Sequence, residues 1–92
     1  MDSKYKRIYD EFLEKYDEEH EIILCIEEMS ELTKELSKYL RYKGTDKEKF
    51  IKENIKEEIA DVINTVGQMQ NIFGIEEIDD IRDKKLNNAI KK

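Results

Sequence analysis

Two acidic runs, Glu27-Glu28-Met29-Ser30-Glu31 and Glu57-Glu58-Ile59-Ala60-Asp61, place side chains of one chemical type close enough to act together. In each, a pair three residues apart (Glu28 with Glu31, Glu58 with Asp61) shares one face of a helix, because residues i and i+3 are surface neighbours. In a chain with 23 Asp and Glu residues, the ordinary explanation of such a pair is a solvated, salt-bridged helix face. The placement of cations argues against it. No Lys or Arg occurs between Lys15 and Lys34, or between Lys56 and Arg82, and both runs lie inside these windows. Exposed helical faces normally interleave signs, as Lys49, Glu53 and Lys56 do. Of the four acids only Glu31 has a cation one turn away, Lys34.

Carboxylates brought together at 4 Å repel by about 1 kcal/mol per pair in water and about 4 kcal/mol at an effective dielectric of 20. Protons or a cation must neutralise them. All-oxygen ligand sets favour Mg²⁺, Mn²⁺ or Ca²⁺ over zinc. A di-iron bundle would need Glu-x-x-His pairs, and His20 is the only histidine.

The elements that must carry these acids are helices. Apolar residues recur at helical spacing along almost the whole chain and nothing alternates like a strand. The first segment carries Tyr5, Ile8, Tyr9, Phe12, Leu13 and Tyr16, with Asp2 or Ser3 as its N-cap. A second helix is expected from about Asp17 to Tyr42, with Ile22, Ile26, Met29, Leu32, Leu36, Tyr39 and Leu40 facing the core and Gly44 ending it. Thr45 and Glu48 read as a capping box opening a third helix, whose stripe is Phe50 or Ile51, Ile55, Ile59, Val62, Val66, Met69 and Phe73, closed by Gly74. A short fourth helix is expected from about Asp79 to Ile90. By ideal rotation Glu28, Glu58 and Asp61 sit on the shoulder of their stripes, with Glu31 further round. Gly67, inside the third helix, implies a close approach by another element.

The fold class is thus all-α, a bundle of about four helices with two long antiparallel ones at its centre. Rods of roughly 35–39 Å are long for 92 residues, so association into a homo-dimer or tetramer is expected. Several function classes fall away. No apolar run approaches 18 residues and no secretory h-region opens the chain, so no membrane partner is expected. One cysteine, Cys25, suits a reducing cytoplasm and reads as a small buried hydrophobe. A net charge of −6 disfavours nucleic acid as a partner.

The pattern E-x-x-E, about 26 residues, then E-x-x-D on the next helix resembles the MazG-like all-α nucleoside triphosphate pyrophosphohydrolases, from about His20 to Phe73 and more loosely to the C-terminus. The stretches Ile26-Glu27-Glu28-Met29-Ser30-Glu31-Leu32 and Glu57-Glu58-Ile59-Ala60-Asp61-Val62 look like that family's two signature helices. The resemblance implies a homo-oligomeric bundle that hydrolyses an NTP or dNTP to the monophosphate and pyrophosphate. Glu28, Glu31, Glu58 and Asp61 would hold Mg²⁺, or Mn²⁺, and form the catalytic set, with one of them, Glu27 or Glu57 taking a proton from water. It further implies that a late Lys-x-x-x-Asn-x-x-Lys segment holds phosphates and sugar. Lys84, Asn88 and Lys91 fit that spacing and Lys85 is an alternative to Lys84, although the same cations also suit a helix C-terminus.

No base pocket is legible: there is no Trp, and the Tyr and Phe of the first helix read as core. His20 reads as a surface residue, and Thr65, one turn past Asp61, as a possible support for a ligand. Two other functions fit the same residues: a helical protein-interaction module whose acids serve solubility, and a catalytically silent nucleotide-binding protein.

Overall fold

A computed structural model describes the backbone of residues 3–91 and side-chain surroundings from residue 5 to residue 91. Among the described residues there are four helices and no strand: α1 (Ser3–Lys15), α2 (Glu18–Tyr42), α3 (Glu48–Phe73) and α4 (Ile75–Lys91). Asp2, one of the two expected caps of α1, lies outside the described residues, and Ser3 is already helical.

Local chemistry accounts for the boundaries. Asp17 caps α2, its carboxylate accepting the His20 N–H at 2.8 Å, and Glu18, Glu19 and Glu21 place negative charge in the positive first turn. Gly44 takes φ 84 in the turn that follows α2. The expected capping box is displaced by one residue: Glu48 accepts from the Gly44 N–H at 3.2 Å and Thr45 Oγ1 from the Lys47 N–H at 3.3 Å, so α3 opens at Glu48 itself. At the other end Gly74, at φ 121, joins α3 to α4 alone. The fourth helix therefore starts at Ile75 rather than near Asp79, and the Ile78 N–H donates to the Gly74 carbonyl at 3.1 Å.

The centre of the molecule is the α2/α3 hairpin. Gln68 pairs with Glu21 across it, and Glu28 meets Asp61 seven residues along both helices, which is antiparallel register. The side chains in this seam are not the stripe expected from periodicity. Glu21, Cys25 and Glu35 of α2 and Ile51, Gly67 and Gln68 of α3 are buried, whereas Ile26, Met29, Leu36 and Leu40 are exposed. The hairpin has turned its apolar stripe about a quarter turn out of the seam, and acids fill the vacated positions. Of the alternative pair at the start of α3, Ile51 is buried and Phe50 is exposed. In α1 only Tyr9 is buried among the large apolar residues, while Tyr5, Phe12 and, just beyond the helix, Tyr16 are exposed.

α1 lies against α3 and α4 against its C-terminal half. Gln68 Nε2 donates both to the Tyr9 carbonyl and to Glu21, each at 2.9 Å, tying three helices at one point. Next to it the Tyr9 ring closes on Gly67, so the close approach expected there is present: a Cβ on Gly67 would stand 2.7 Å from Tyr9 Cζ. Overpacking costs about 1–3 kcal/mol and Ala gains about 1 kcal/mol over Gly in a helix. Gly67→Ala is therefore expected to lower unfolding free energy by about 1 kcal/mol in urea titrations. In a Tyr9→Leu background the same change should become neutral or stabilising; equal effects in both backgrounds would disprove the contact.

Candidate functional site

The register fixed by Glu21 and Gln68 brings the two acidic runs face to face. Carboxylate oxygens of Glu28, Glu58 and Asp61 lie within 4.8 Å of one another. Glu28 and Glu58 are half-buried and Asp61 is exposed at the rim. Glu58 Oε2 is buried and among the described residues has no hydrogen-bond partner. Among the described residues no Lys, Arg or His ion-pairs with any of the three. The fourth expected ligand, Glu31, is exposed and its oxygens fall outside this group, although its charge reaches Glu58.

The electrostatics follow from that crowding. Burial, then the charges of Asp61 and Glu58, hold the Glu28 carboxyl above the usual carboxylate range. Burial, then the charges of Asp61 and Glu31, do the same to Glu58, against which a hydrogen bond from Glu28 works. Both groups thus retain protons in the folded chain at a pH where the unfolded chain, near the ordinary Glu value of 4.5, has lost them. Where the folded state binds more protons, stability falls as pH rises. Metal-free protein should lose thermal stability as pH climbs from about 4.5 through the raised folded-state range. Melting curves in chelator across that range test this against Glu58→Gln, whose profile should be shallower. Parallel profiles would show that the trio does not carry the effect.

No family model, curated protein or solved structure matches this chain.

Sequence spacing did not single out Glu35. It lies seven residues beyond Glu28 on the same face, is buried, and has one oxygen 3.3 Å from Lys38 Nζ and the other buried without a partner. Its charge also reaches Glu58. The seven-residue spacing was the available signal, and Lys38 masked it by making Glu35 look like an ordinary i,i+3 pair. The Thr65 hydroxyl donates to the Val62 carbonyl at 3.0 Å, one turn back along its own helix. His20 is exposed, as expected, and stacks on Tyr16 with ring centroids 4.6 Å apart.

The C-terminal set stands apart from the acids. Lys84, Lys85, Asn88 and Lys91 are exposed on α4, and among the described residues none hydrogen-bonds or ion-pairs to the trio. Lys85 instead borders an apolar groove of about 890 Å³ between α3 and α4, alongside Val62, Phe73 and Leu86.

Three oxygens of acidic groups, gathered within 4.8 Å with no cation among the described residues to neutralise them, suit a hard divalent ion. Metal–oxygen distances of about 2.1–2.5 Å put opposed ligands roughly 4–5 Å apart. An ion held there would also give the Glu58 Oε2 a partner that no described residue supplies.

Proposed function

We propose that this chain is a MazG-like, Mg²⁺-dependent nucleoside triphosphate pyrophosphohydrolase that works as a homo-oligomer. The observation that carries the reading is the convergence of Glu28, Glu58 and Asp61 from two helices inside cation-free windows, with a Glu58 oxygen buried and unpartnered. The spacing of the two motifs supports the family, and the exposed apolar stripes support self-association.

Glu28, Glu58 and Asp61 would hold Mg²⁺, with Mn²⁺ as the alternative. A dication bound there supplies charge neutralisation of the triphosphate and polarisation of its phosphoryl oxygens. The half-buried seam walls the inner side of the trio and Asp61 opens it to solvent, so a phosphate chain enters from the Asp61 side. Water attacks the α-phosphorus: its oxygen forms the new P–O bond as the bond to the bridging oxygen breaks and pyrophosphate leaves. One of the neighbouring acids takes the proton released by that water, and Glu31, outside the trio but near enough to affect Glu58, is our choice among them. The phosphate-holding role of Lys84, Lys85, Asn88 and Lys91 rests on the resemblance and requires α4 of another copy, or movement of α4.

The test is pyrophosphate release from a panel of NTPs and dNTPs, with and without Mg²⁺. Turnover that needs the metal supports the reading. Tight nucleotide binding without product would leave a silent binding protein, and indifference to both metal and nucleotide would leave a helical interaction module. Thermal unfolding on the same panel separates these outcomes, because ligands of the native state raise its stability by mass action.

A further inference from the structure

We propose that the cavity between α1 and α2, two helical turns along the hairpin from the acid trio, is a nucleobase subsite, and that Glu21 makes it select a base bearing an exocyclic amino group. This deepens the nucleotide reading and rests on it.

The cavity, about 260 Å³, is lined by Phe12, Tyr16, His20, Glu21 and Leu24. Behind it a recess of about 100 Å³ shares Phe12, Glu21 and Leu24 and is completed by Tyr9, Asn64, Thr65 and Gln68. Its place along the hairpin suits the metal chemistry. Glu21 precedes Glu28 by seven residues and Gln68 follows Asp61 by seven, so both partners lie about 10.5 Å from the trio on the same faces. Leu24 and Thr65, one turn from Glu28 and Asp61 in sequence, line the recess on the side toward the trio. A nucleotide with its phosphates at the trio lays its base here.

Two features give the cavity its chemistry. Phe12, Tyr16 and His20 form a run of stacked rings, with centroids 6.4 and 4.6 Å apart, that offers a flat partner to a base. Glu21 is only 6% exposed, yet no Lys or Arg pairs with it among the described residues. One of its oxygens accepts from Gln68 at 2.9 Å, and the other stands 3.4 Å from His20 Nδ1. Gln68 spends both amide hydrogens, on Glu21 and on the Tyr9 carbonyl, and its oxygen accepts from Asn71. Gln68 therefore fixes Glu21 and has no hydrogen left for a ligand. The remaining carboxylate oxygen can accept but not donate. The exocyclic amino group of cytosine or adenine satisfies it, whereas in the same pose the 4-carbonyl of uracil or thymine meets it acceptor to acceptor, and the ring N3–H could reach it only if the base shifted.

Cytosine and uracil have the same size and differ at this edge, so they make the sharpest comparison. Calorimetry with Mg²⁺ and the α,β-imido analogues of dCTP and dUTP, which resist cleavage at that linkage, should show about 10–100-fold tighter binding of the cytosine compound. Glu21→Gln keeps an acceptor for Gln68 and adds a donor, so it should erase or reverse that preference. Phe12→Ala, at an exposed ring, should weaken both analogues alike. Equal binding of the two by the wild-type chain, or a preference that survives Glu21→Gln, would overturn the subsite while leaving the nucleotide reading standing. Binding of neither analogue would overturn both. If Glu21→Gln fails to fold, judged by its melting curve, the wild-type comparison decides alone.

Discussion

Glu58→Gln should lower pyrophosphate release by at least about 100-fold, the upper end of what loss of even an outer-shell partner costs a metal site. The substitution keeps the shape of the side chain and removes its charge, so packing in the α2/α3 seam is preserved. Its effect on stability is the more diagnostic half. Without metal, Glu58 is crowded by Glu28, Asp61 and Glu31 and has an oxygen with no partner, so neutralising it should raise the melting temperature of chelator-treated protein. With Mg²⁺, the wild-type chain should gain stability by mass action and the variant should gain little. A carboxylate with a purely structural role would give the opposite pattern, loss of stability in both conditions. Glu53→Gln, on the exposed face of α3 beside Lys56, is the control and should change neither readout beyond about 0.5 kcal/mol. Full turnover by Glu58→Gln would end the metal-assisted mechanism.

How far the sequence revealed the site depended on which partner each residue needed. Glu28, Glu58 and Asp61 were legible because a missing cation is visible in one dimension: a charge with no opposite neighbour at i±3 or i±4 must be neutralised from elsewhere. Glu31 and Glu35 were harder to separate, since both sit on the acidic side of α2 and only packing against α3 decides that Glu35 goes inside. The helices themselves were legible from period and caps. Their inward faces were not. Periodicity locates an apolar stripe but carries no label saying whether it meets the same chain or another one, so the stripe was centred on Ile22, Ile26 and Met29 while the seam runs through Glu21, Cys25 and Glu28. Phe12 and Tyr16 were misplaced for the same reason: an aromatic at helical spacing looks like core until a cavity is seen beside it.

That outward-turned stripe leads to the second large expected effect, the loss of assembly and with it stability when a charge is placed on it. Rotation along each helix puts Ile22, Ile26, Met29, Leu36 and Leu40 of α2 and Ile59, Ile63 and Val66 of α3 on the same side of the hairpin, because antiparallel helices turn toward a common side. Glu31 and Asp61 lie on the other. The chain exposes 7377 Å², about 1,700 Å² more than the roughly 5,700 Å² expected of a folded monomer of 11.1 kDa. Its radius of gyration of 16.1 Å exceeds the approximately 12 Å of a compact domain this long. An excess of that size on each of two copies falls in the range of obligate homodimer interfaces, about 2,000–5,000 Å² in total. Two hairpins facing each other would also turn the missing core into the centre of a four-helix bundle. In an isolated chain Ile63 is 63% exposed where it borders the α3/α4 groove, and Ile63→Asp there would cost no more than about 1 kcal/mol. Within a bundle the same change buries an unpaired charge, and the variant should dissociate and lose most of its helical signal at micromolar concentration. The wild-type melting temperature should rise with protein concentration, as it does for any fold completed by association. Light scattering and circular dichroism measured together decide the matter: a monomeric wild type, with an Ile63→Asp variant that melts alongside it, would show that these stripes meet no second copy.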